Sequence, residues 1–520
     1  MPFTRIPVFP RKCAIVLVLV QALALAGCAV GPNYKRPEAA IPAAYKEAPE
    51  GWKVAQPADR ADRGNWWTIY DDPQLNDLET RLNASNQTVA QFAAVYRQAR
   101  ALVAEARASY FPTLGVTGAG TRAGASGRTG GSSISNNFDL GLNASWEPDL
   151  WGTVSRTVGA QKAGEQSAAA DLANARLSAQ GTLAQTYFQL RSLDAQQRLL
   201  DDTVAAYQRT LQLTQNQYAQ GTAARSDVIQ AQTQLLSAQA AAIDNGVARA
   251  RFEHAIAALV GEPASTFYIA ASPLDATPPE VPLEMPSAIL ERRPDVASAE
   301  RKAAAANEQI GVTIAAFFPT LTFSASGGFQ NSVLSQLLSA PSRFWTLGPS
   351  LAANIFDGGL RIAQTEAARA AYDSAVATYR QTILSAFQDV EDNLASQRIL
   401  ANEVVVQEQA VASAQQALAI VTNQYKSGTV GFINVLTAQA TAFTAEQKLA
   451  SIAGQRMVSS VGLIKSLGGG WDTAQIDQET GSAAAPVAAS GVVLKGPSAA
   501  LNPARGSSSV AATNGGAAKE

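Results

Sequence analysis

Phe138-Asp139-Leu140-Gly141-Leu142-Asn143-Ala144-Ser145-Trp146 alternates strictly with a period of two. Phe138, Leu140, Leu142, Ala144 and Trp146 point one way, and Asp139, Gly141, Asn143 and Ser145 the other, as in a strand with one apolar and one wet face. Thr346 to Phe356 repeats this less strictly, setting Leu347, Leu351, Ala353 and Ile355 against Thr346, Gly348, Ser350 and Asn354. Leu114 with Val116, and Leu321 with Phe323, open two partner strands. A length of about ten residues is that of a tilted membrane strand. A soluble sheet would need an amphipathic element over its apolar face, and the sequence has none to spare. Four strands cannot close a barrel, and lipid does not tolerate open edges, so several copies must each contribute four. The Gly- and Ser-rich stretch from Gly118 to Ser135 is expected to be an exposed loop between strands.

Outward from the strands, the chain repeats itself. Phe111-Pro112-Thr113-Leu114 recurs as Phe318-Pro319-Thr320-Leu321, 207 positions later, and Tyr218-Ala219-Gln220-Gly221-Thr222 recurs at the same spacing as Tyr425-Lys426-Ser427-Gly428-Thr429. Asp149 and Asp357, each just before a glycine turn, lie 208 apart. Each half reads helix, strand pair, very long helix, glycine turn, helix. The long helices carry a 3.5-residue apolar spacing: Leu183, Leu190, Leu193, Leu200, Val204, Tyr207, Leu211 and Tyr218 in the first, Val376 through Ile383, Val390, Val404 and Val411 to Tyr425 in the second. That period, held over many turns without proline, predicts a left-handed coiled coil. From Val154 to Tyr218 the helix would run roughly 95–100 Å. The flanking helices, about Leu75–Ser109 and Arg225–Leu259, are near half that length, so two stacked end to end would match one long helix.

Arg5, Arg11 and Lys12 precede an apolar run from Cys13 to Ala26, too short for a resident membrane helix and fitting a secretory leader. It ends Leu25-Ala26-Gly27-Cys28, which matches the bacterial lipobox. There the thiol takes a diacylglycerol, the leader is cut before it, and the new amine is acylated, so Cys28 is expected to carry S-diacylglycerol and N-palmitoyl groups. Such chains anchor at about 0.8 kcal/mol per buried methylene. Ala29 follows where an aspartate would be the inner-membrane retention mark, which favours the outer membrane.

Composition points away from catalysis. The two cysteines are Cys13 and Cys28, His254 is the sole histidine, and there are 3 methionines, so no metal cluster, no cofactor beyond the lipid and few catalytic bases are expected. A net charge of −2 gives no reason to expect nucleic acid. Charged residues are 16%, which together with abundant Ala, Gln, Ser and Thr suits long helices with many small contacts.

These residues resemble the TolC-like outer-membrane efflux proteins, most closely the OprM/NodT-like lipoprotein branch, from Cys28 to about Trp471. The motifs are the lipobox with Pro32-Asn33-Tyr34 and Pro37, then Trp66-Trp67 leading to Asp72-Pro73-Gln74-Leu75. The strongest is Leu290-Glu291-Arg292-Arg293-Pro294-Asp295-Val296, continuing through Ala305, Asn307, Ile310 and Gly311 to Phe317-Phe318-Pro319. The resemblance implies a mainly α fold with membrane β-strands, a homotrimer with a twelve-stranded barrel, and a twelve-helix tunnel in the periplasm. It also implies an equatorial belt from Gly51–Asp72, Pro263–Pro286 and the region after Gly468. The implied partners are outer-membrane lipid, a periplasmic adaptor (membrane fusion) protein and an inner-membrane transporter of the resistance-nodulation-division class. The chain then divides into a signal peptide (1–27), an acylated N-terminus and equatorial segment (28–74), a first duct repeat (75–262), an equatorial linker (263–286), a second repeat (287–468), and an equatorial segment with a disordered tail (469–520).

The function so implied is an outer-membrane channel lipoprotein of a tripartite efflux system, not an enzyme. The competing readings are a passive porin, which the long coiled coils oppose, and a periplasmic coiled-coil rod, which the alternating strands oppose. Arg292-Arg293-Pro294-Asp295 is read as a helix start, Trp66-Trp67 as packing in the belt, His254 as a polar contact, and Gly221 and Gly428 as left-handed helix caps. The tip turns, Tyr218–Asp227 and Tyr425–Thr437, are expected to pinch the tunnel shut. Relatives commonly place acids just beyond both turns. Here the first keeps Asp227, with Arg225 before it, and the second has Asn434 and Thr437 beside Phe432 and Ile433. That departure suggests a constriction closed by Ile433, with Asn434 and Asp227 bonding the hairpins together.

Overall fold

A computed structural model describes residues 29–42, 44–47, 65–126, 132–274, 277–279 and 292–469. The leader, Cys28, and the tail from residue 470 lie outside them, as do 48–64 of the belt and residues 275–276 and 280–286 of the linker. Among the described residues seven α-helices and four strands follow in chain order: α1 Pro73–Ser85, α2 Gln87–Ala108, β1 Thr113–Ser126, β2 Ser132–Trp146, α3 Thr153–Ala219, α4 Arg225–Leu259, α5 Pro294–Ala315, β3 Thr320–Asn331, β4 Arg343–Ala352, α6 Leu360–Lys426 and α7 Phe432–Ser466. The duplication is exact in helix length: α3 and α6 have 67 residues each, α4 and α7 35, and α2 and α5 22.

The long helices start and stop on local chemistry. Gly152 (φ 83) and Gly359 (φ 89) turn the chain into α3 and α6. The Asp149 carboxylate accepts the free Val154 and Ser155 amides at 2.9 and 2.7 Å. At the far ends Gly221 (φ 74) and Gly428 (φ 75) take the left-handed conformation an L side chain resists. Thr222 N then bonds Gln217 O, and Thr429 N bonds Gln424 O, both bonds closing the helix end.

Three expectations need correction. The segment from Gly118 to Ser135 is not one loop, since β1 runs to Ser126 and β2 begins at Ser132. Two of its glycines sit under neighbours' side chains: a Cβ on Gly120 would lie 3.1 Å from the Phe138 ring and one on Gly118 3.7 Å from Leu140. Cross-strand cover thus overrides the poor strand propensity. The fourth strand ends at Ala352, not Phe356, because its partner Thr320 is the first residue of β3. The helix expected over 75–109 is broken at Asn86, which is extended (ψ 121) and whose side chain caps α2 by accepting the Val89 amide at 3.0 Å.

The main core lies where α1 and the 3-10 turn Trp66–Tyr70 cover the middle of α3, beside α6 and α7. Trp66 and Trp67 are buried edge to face at 5.9 Å, and Trp66 Nε1 donates to Gln180. Asp72 caps α1 through Gln74 N and Leu75 N, and its other oxygen accepts the Tyr187 hydroxyl at 2.6 Å. Asp194, 2% exposed, bridges Arg191 and Arg249, while Glu253 accepts the Ile269 amide at 2.6 Å, which pins residues 269–272 to α3 and α4. Pro294 and Asp295 occupy the first turn of α5, and Arg293 pairs with Asp295 and Asp389. His254 is exposed on α4.

Glu79 stands apart in this core. It is fully buried and neither carboxyl oxygen has a hydrogen-bond partner. Burial alone pushes its pKa from 4.5 up to about 9. Because the folded value lies above the unfolded one, its stabilising contribution is full below pH 4.5 and is lost as pH rises toward 9. At pH 7 the cost of keeping it protonated is on the order of 3 kcal/mol. Glu79→Gln is therefore expected to raise thermal stability at pH 7–8, with the two melting curves converging near pH 4.5. A gain independent of pH, measured by scanning calorimetry, contradicts this account.

Candidate functional site

Strand pairing sorts every residue of the sheet onto one of two faces, because directly opposed residues share a side. The four strands form an antiparallel meander in chain order. Leu114 faces Ala144 and Val116 faces Leu142; Trp146 faces Phe323 and Leu140 faces Phe329; Leu321 faces Leu351 and Ala325 faces Leu347. Trp146 and Phe323 stack at 5.9 Å. The reverse side brings together Thr117 with Gly141, Asn143 with Ser326, and Ser326 with Thr346. Among the described residues nothing covers the apolar side: Leu114 is 75% exposed and Trp345 81%. The pattern is that of a barrel wall with lipid outside and water inside. No helix among the described residues is long and apolar enough to cross a membrane.

Below the sheet the helices form a wall four across. Near the sheet the order is α2, α3, α5, α6, and toward the far tip it is α4, α3, α7, α6. One edge is therefore always α2 or α4 and the other always α6. Both edges carry apolar residues at sevenfold spacing that are half exposed or more: Ile229, Leu236 and Ile243 on α4, and Ile399, Val406 and Ile420 on α6. Two different edges that both need cover are the condition for head-to-tail association closing into a ring.

At the tip the two hairpins meet around a small cluster of Phe432, Tyr425, Val435 and Ala231. Tyr425 and Phe432 rings lie 5.5 Å apart, and burial pushes the Tyr425 phenol up. Gln439 Nε2 of α7 donates to Thr210 Oγ1 of α3 at 3.0 Å. Ile433, Asn434, Thr437 and Arg225 are exposed, and Asp227 is half-buried. Phe432, expected beside the constriction, is 2% exposed and holds the hairpins together instead. The expected bond between hairpins through Asn434 and Asp227 is also replaced. Asn434 Nδ2 donates to Gly431 O at 3.3 Å, and Asp227 accepts from Ser226 Oγ at 3.3 Å, each within its own turn. Both residues stand in a first helical turn, where local groups lie closer than the other hairpin does.

Sequence reading places Tyr425 at the end of the heptad series and the start of the second tip turn, but gives no packing role to it or to Ala231 and Gln439. Position-by-position comparison of the repeats carries the signal: Phe432 occupies the place of Arg225, so Tyr425 gains a ring to pack on, whereas Tyr218 stays 47% exposed.

A family model described as outer membrane efflux protein matches residues 79–262 and again 285–469. The chain is 31% identical over 438 residues to the pyoverdine export outer membrane protein OpmQ of Pseudomonas aeruginosa, covering 82% of this chain and 92% of that protein. It is 28% identical over 457 residues to the cation efflux system protein CusC of Escherichia coli, covering 88% and 98%. Among solved structures, the outer-membrane channel OprN superposes with a TM-score of 0.80 at 28% identity, over 85% of this chain and 100% of that one. The open state of the Neisseria gonorrhoeae MtrE outer membrane channel does so with a TM-score of 0.77 at 26% identity, over 86% and 99%.

The tip geometry separates two neighbouring residues. Phe432→Ala is expected to cost about 3 kcal/mol, as emptying a buried aromatic site does, and to speed amide exchange in both tip turns. Ile433→Ala, on an exposed side chain, is expected to shift exchange by less than about 0.5 kcal/mol. Equal effects of the two substitutions would mean that the cluster does not hold the tip.

Proposed function

Because the chain belongs to the outer membrane efflux protein family and has the fold of its trimeric, TolC-like channels, it is an outer-membrane efflux channel, and we propose how it does this work. Three copies close a twelve-stranded barrel and a twelve-helix periplasmic duct, each α6 edge packing on the α2/α4 edge of the next copy. The supporting observation is the sheet: one face bare and apolar, the other polar, with two unpaired edges that lipid does not tolerate. The polar faces of three such sheets line a water-filled path. The duct conducts and performs no chemistry.

Cys28 carries the lipid and attaches the chain a second time to the membrane its strands cross. A periplasmic adaptor meets the tip, and behind it stands an inner-membrane transporter of the resistance-nodulation-division class. Substrate choice belongs to that pump. Relatives at 28–31% identity are named for pyoverdine, cations, toluene and antibiotics, a spread that this common duct does not sort. The tip is the gate. Ile433 projects from the second hairpin and forms the constriction with its two copies, while Asn434 and Asp227, repeat equivalents 207 residues apart, line the entrance.

Cross-linking in native membranes is expected to stop at three, and a ladder that ends at one or passes three removes the assembly. In planar bilayers the native channel is expected to be mostly closed and of small conductance, whereas a wide open pore would mean a porin and silence a rod. Replacing Ile433 and Asn434 together by Ala is expected to raise single-channel conductance and vancomycin sensitivity. Unchanged conductance in an assembled trimer would place the gate elsewhere.

A further inference from the structure

Arg156, in the first turn of α3, is 5% exposed and uses all five of its N–H donors. Nε donates to Val30 O at 3.3 Å, Nη1 to Pro32 O at 3.1 Å and Glu308 Oε2 at 2.9 Å, and Nη2 to Gly31 O at 3.2 Å and Asn33 Oδ1 at 3.1 Å. Four of the five bonds thus go to four consecutive residues near the N-terminus. Both repeats help. Val30 N donates to Trp151 O at 3.1 Å, and Asn307 of α5 donates to Pro32 O at 3.0 Å. Gly31 (φ +98) lies so close to α5 that a Cβ would come within 2.7 Å of Gly311 Cα.

This site sits at the foot of the sheet. Trp151 follows the end of β2 by five residues, and its indole donates to Pro319 O, one residue before β3, at 2.7 Å. Two residues of extended chain span at most about 7 Å, so position 28 is tethered within that distance of Val30. A guanidinium with a single counter-charge has four donors left bare if the segment leaves, and each bare buried donor costs about 1–3 kcal/mol. The segment therefore stays docked.

We propose that Arg156 is the positioning residue of the lipid anchor: it holds the residues directly behind Cys28 against the foot of the sheet, so that the acyl chains enter the leaflet that the strand ends cross. This rests on the lipid-anchor reading above. A flexible tether would let the anchor wander along the periplasmic wall. The docked one fixes the depth of the anchor to that of the barrel and staples α3 of the first repeat to α5 of the second.

The test uses the full chain, assembled in vesicles of phosphatidylethanolamine and phosphatidylglycerol, with a spin label at Lys35→Cys. Position 35 is exposed, and the cysteines of the sequence are Cys13 in the leader and Cys28 under the lipid. Label mobility, and collision with membrane-soluble oxygen against a water-soluble nickel chelate, report order and depth. The native clamp is expected to give one restricted population at one depth. Arg156→Gln should give a mobile label with spread depth, and Arg156→Lys, with three donors, an intermediate one. Gly31→Ala changes only the docked segment and should match Arg156→Gln, so it decides the matter if the arginine variant does not assemble. An unchanged line shape and depth in Gly31→Ala overturns the clamp. Palmitate labelling is scored separately: its absence from the native chain removes the anchor role, whatever the label shows.

Discussion

An open β-sheet edge in hydrocarbon leaves a row of backbone N–H and C=O groups without partners, at several kcal/mol each. The sheet here has two such edges, the outer sides of β1 and β4, and a largely apolar face beside them. No rearrangement within one chain relieves this, since four strands are too few to curl shut. The edges meet only if copies of the chain stand side by side. The helical wall obeys the same condition, because its bare edges α2/α4 and α6 lie on opposite flanks. Strand edges and helix edges thus ask for one rotation, and a structure that satisfied one without the other would leave apolar stripes in water.

Duplication supplies the dimensions. A helix of 67 residues is matched by flanking helices of 22 and 35 stacked beside it, and both halves use the same lengths. What differs between the halves is then informative. Arg225 and Phe432 are equivalent positions, as are Asp227 and Asn434. The first hairpin presents charge at its tip, while the second buries an aromatic ring and exposes Ile433. Each copy contributes one hairpin of each kind, so a ring of copies alternates them around the entrance.

Much of this was legible in the sequence because it depends on periodicity. The alternation from Phe138 to Trp146 and the 3.5-residue spacing through Leu183 and Tyr207 mark which face is covered, and the structure covers or bares those faces accordingly. What resisted reading depends on partners distant in sequence. Gly118 and Gly120 look like a loop until Leu140 and Phe138 are placed over them. Asn86 looks like one more polar residue on a helix until its side chain is seen capping Val89. Phe432 reads like its exposed neighbour Ile433 until the helix is built: a helix turns by about 100° per residue, which sends the two side chains to different sides. Arg156 carries no sequence signal, since its partners, mostly backbone carbonyls, lie more than 120 residues away.

The strength of packing is graded along the length of the duct, and the grading bears on where it opens. At the foot of the sheet Arg156 saturates its donors on the N-terminal segment and Glu308, and Trp151 stacks on Phe318 at 4.7 Å. At the equator a large aromatic and aliphatic core joins elements of both repeats, with Tyr187 and Phe188 buried in one cluster with Tyr379 and Phe387. At the tip four buried residues and a hydrogen bond from Gln439 to Thr210 do the same task. Local opening draws on the least stable part of a structure. A motion that parts the hairpins gives up only that small cluster, whereas one that parted the repeats at the middle would strip the much larger buried core between them. The tip is accordingly the least firmly packed part of the wall, which supports the proposal that resting and conducting forms differ there while the barrel and equator keep one shape.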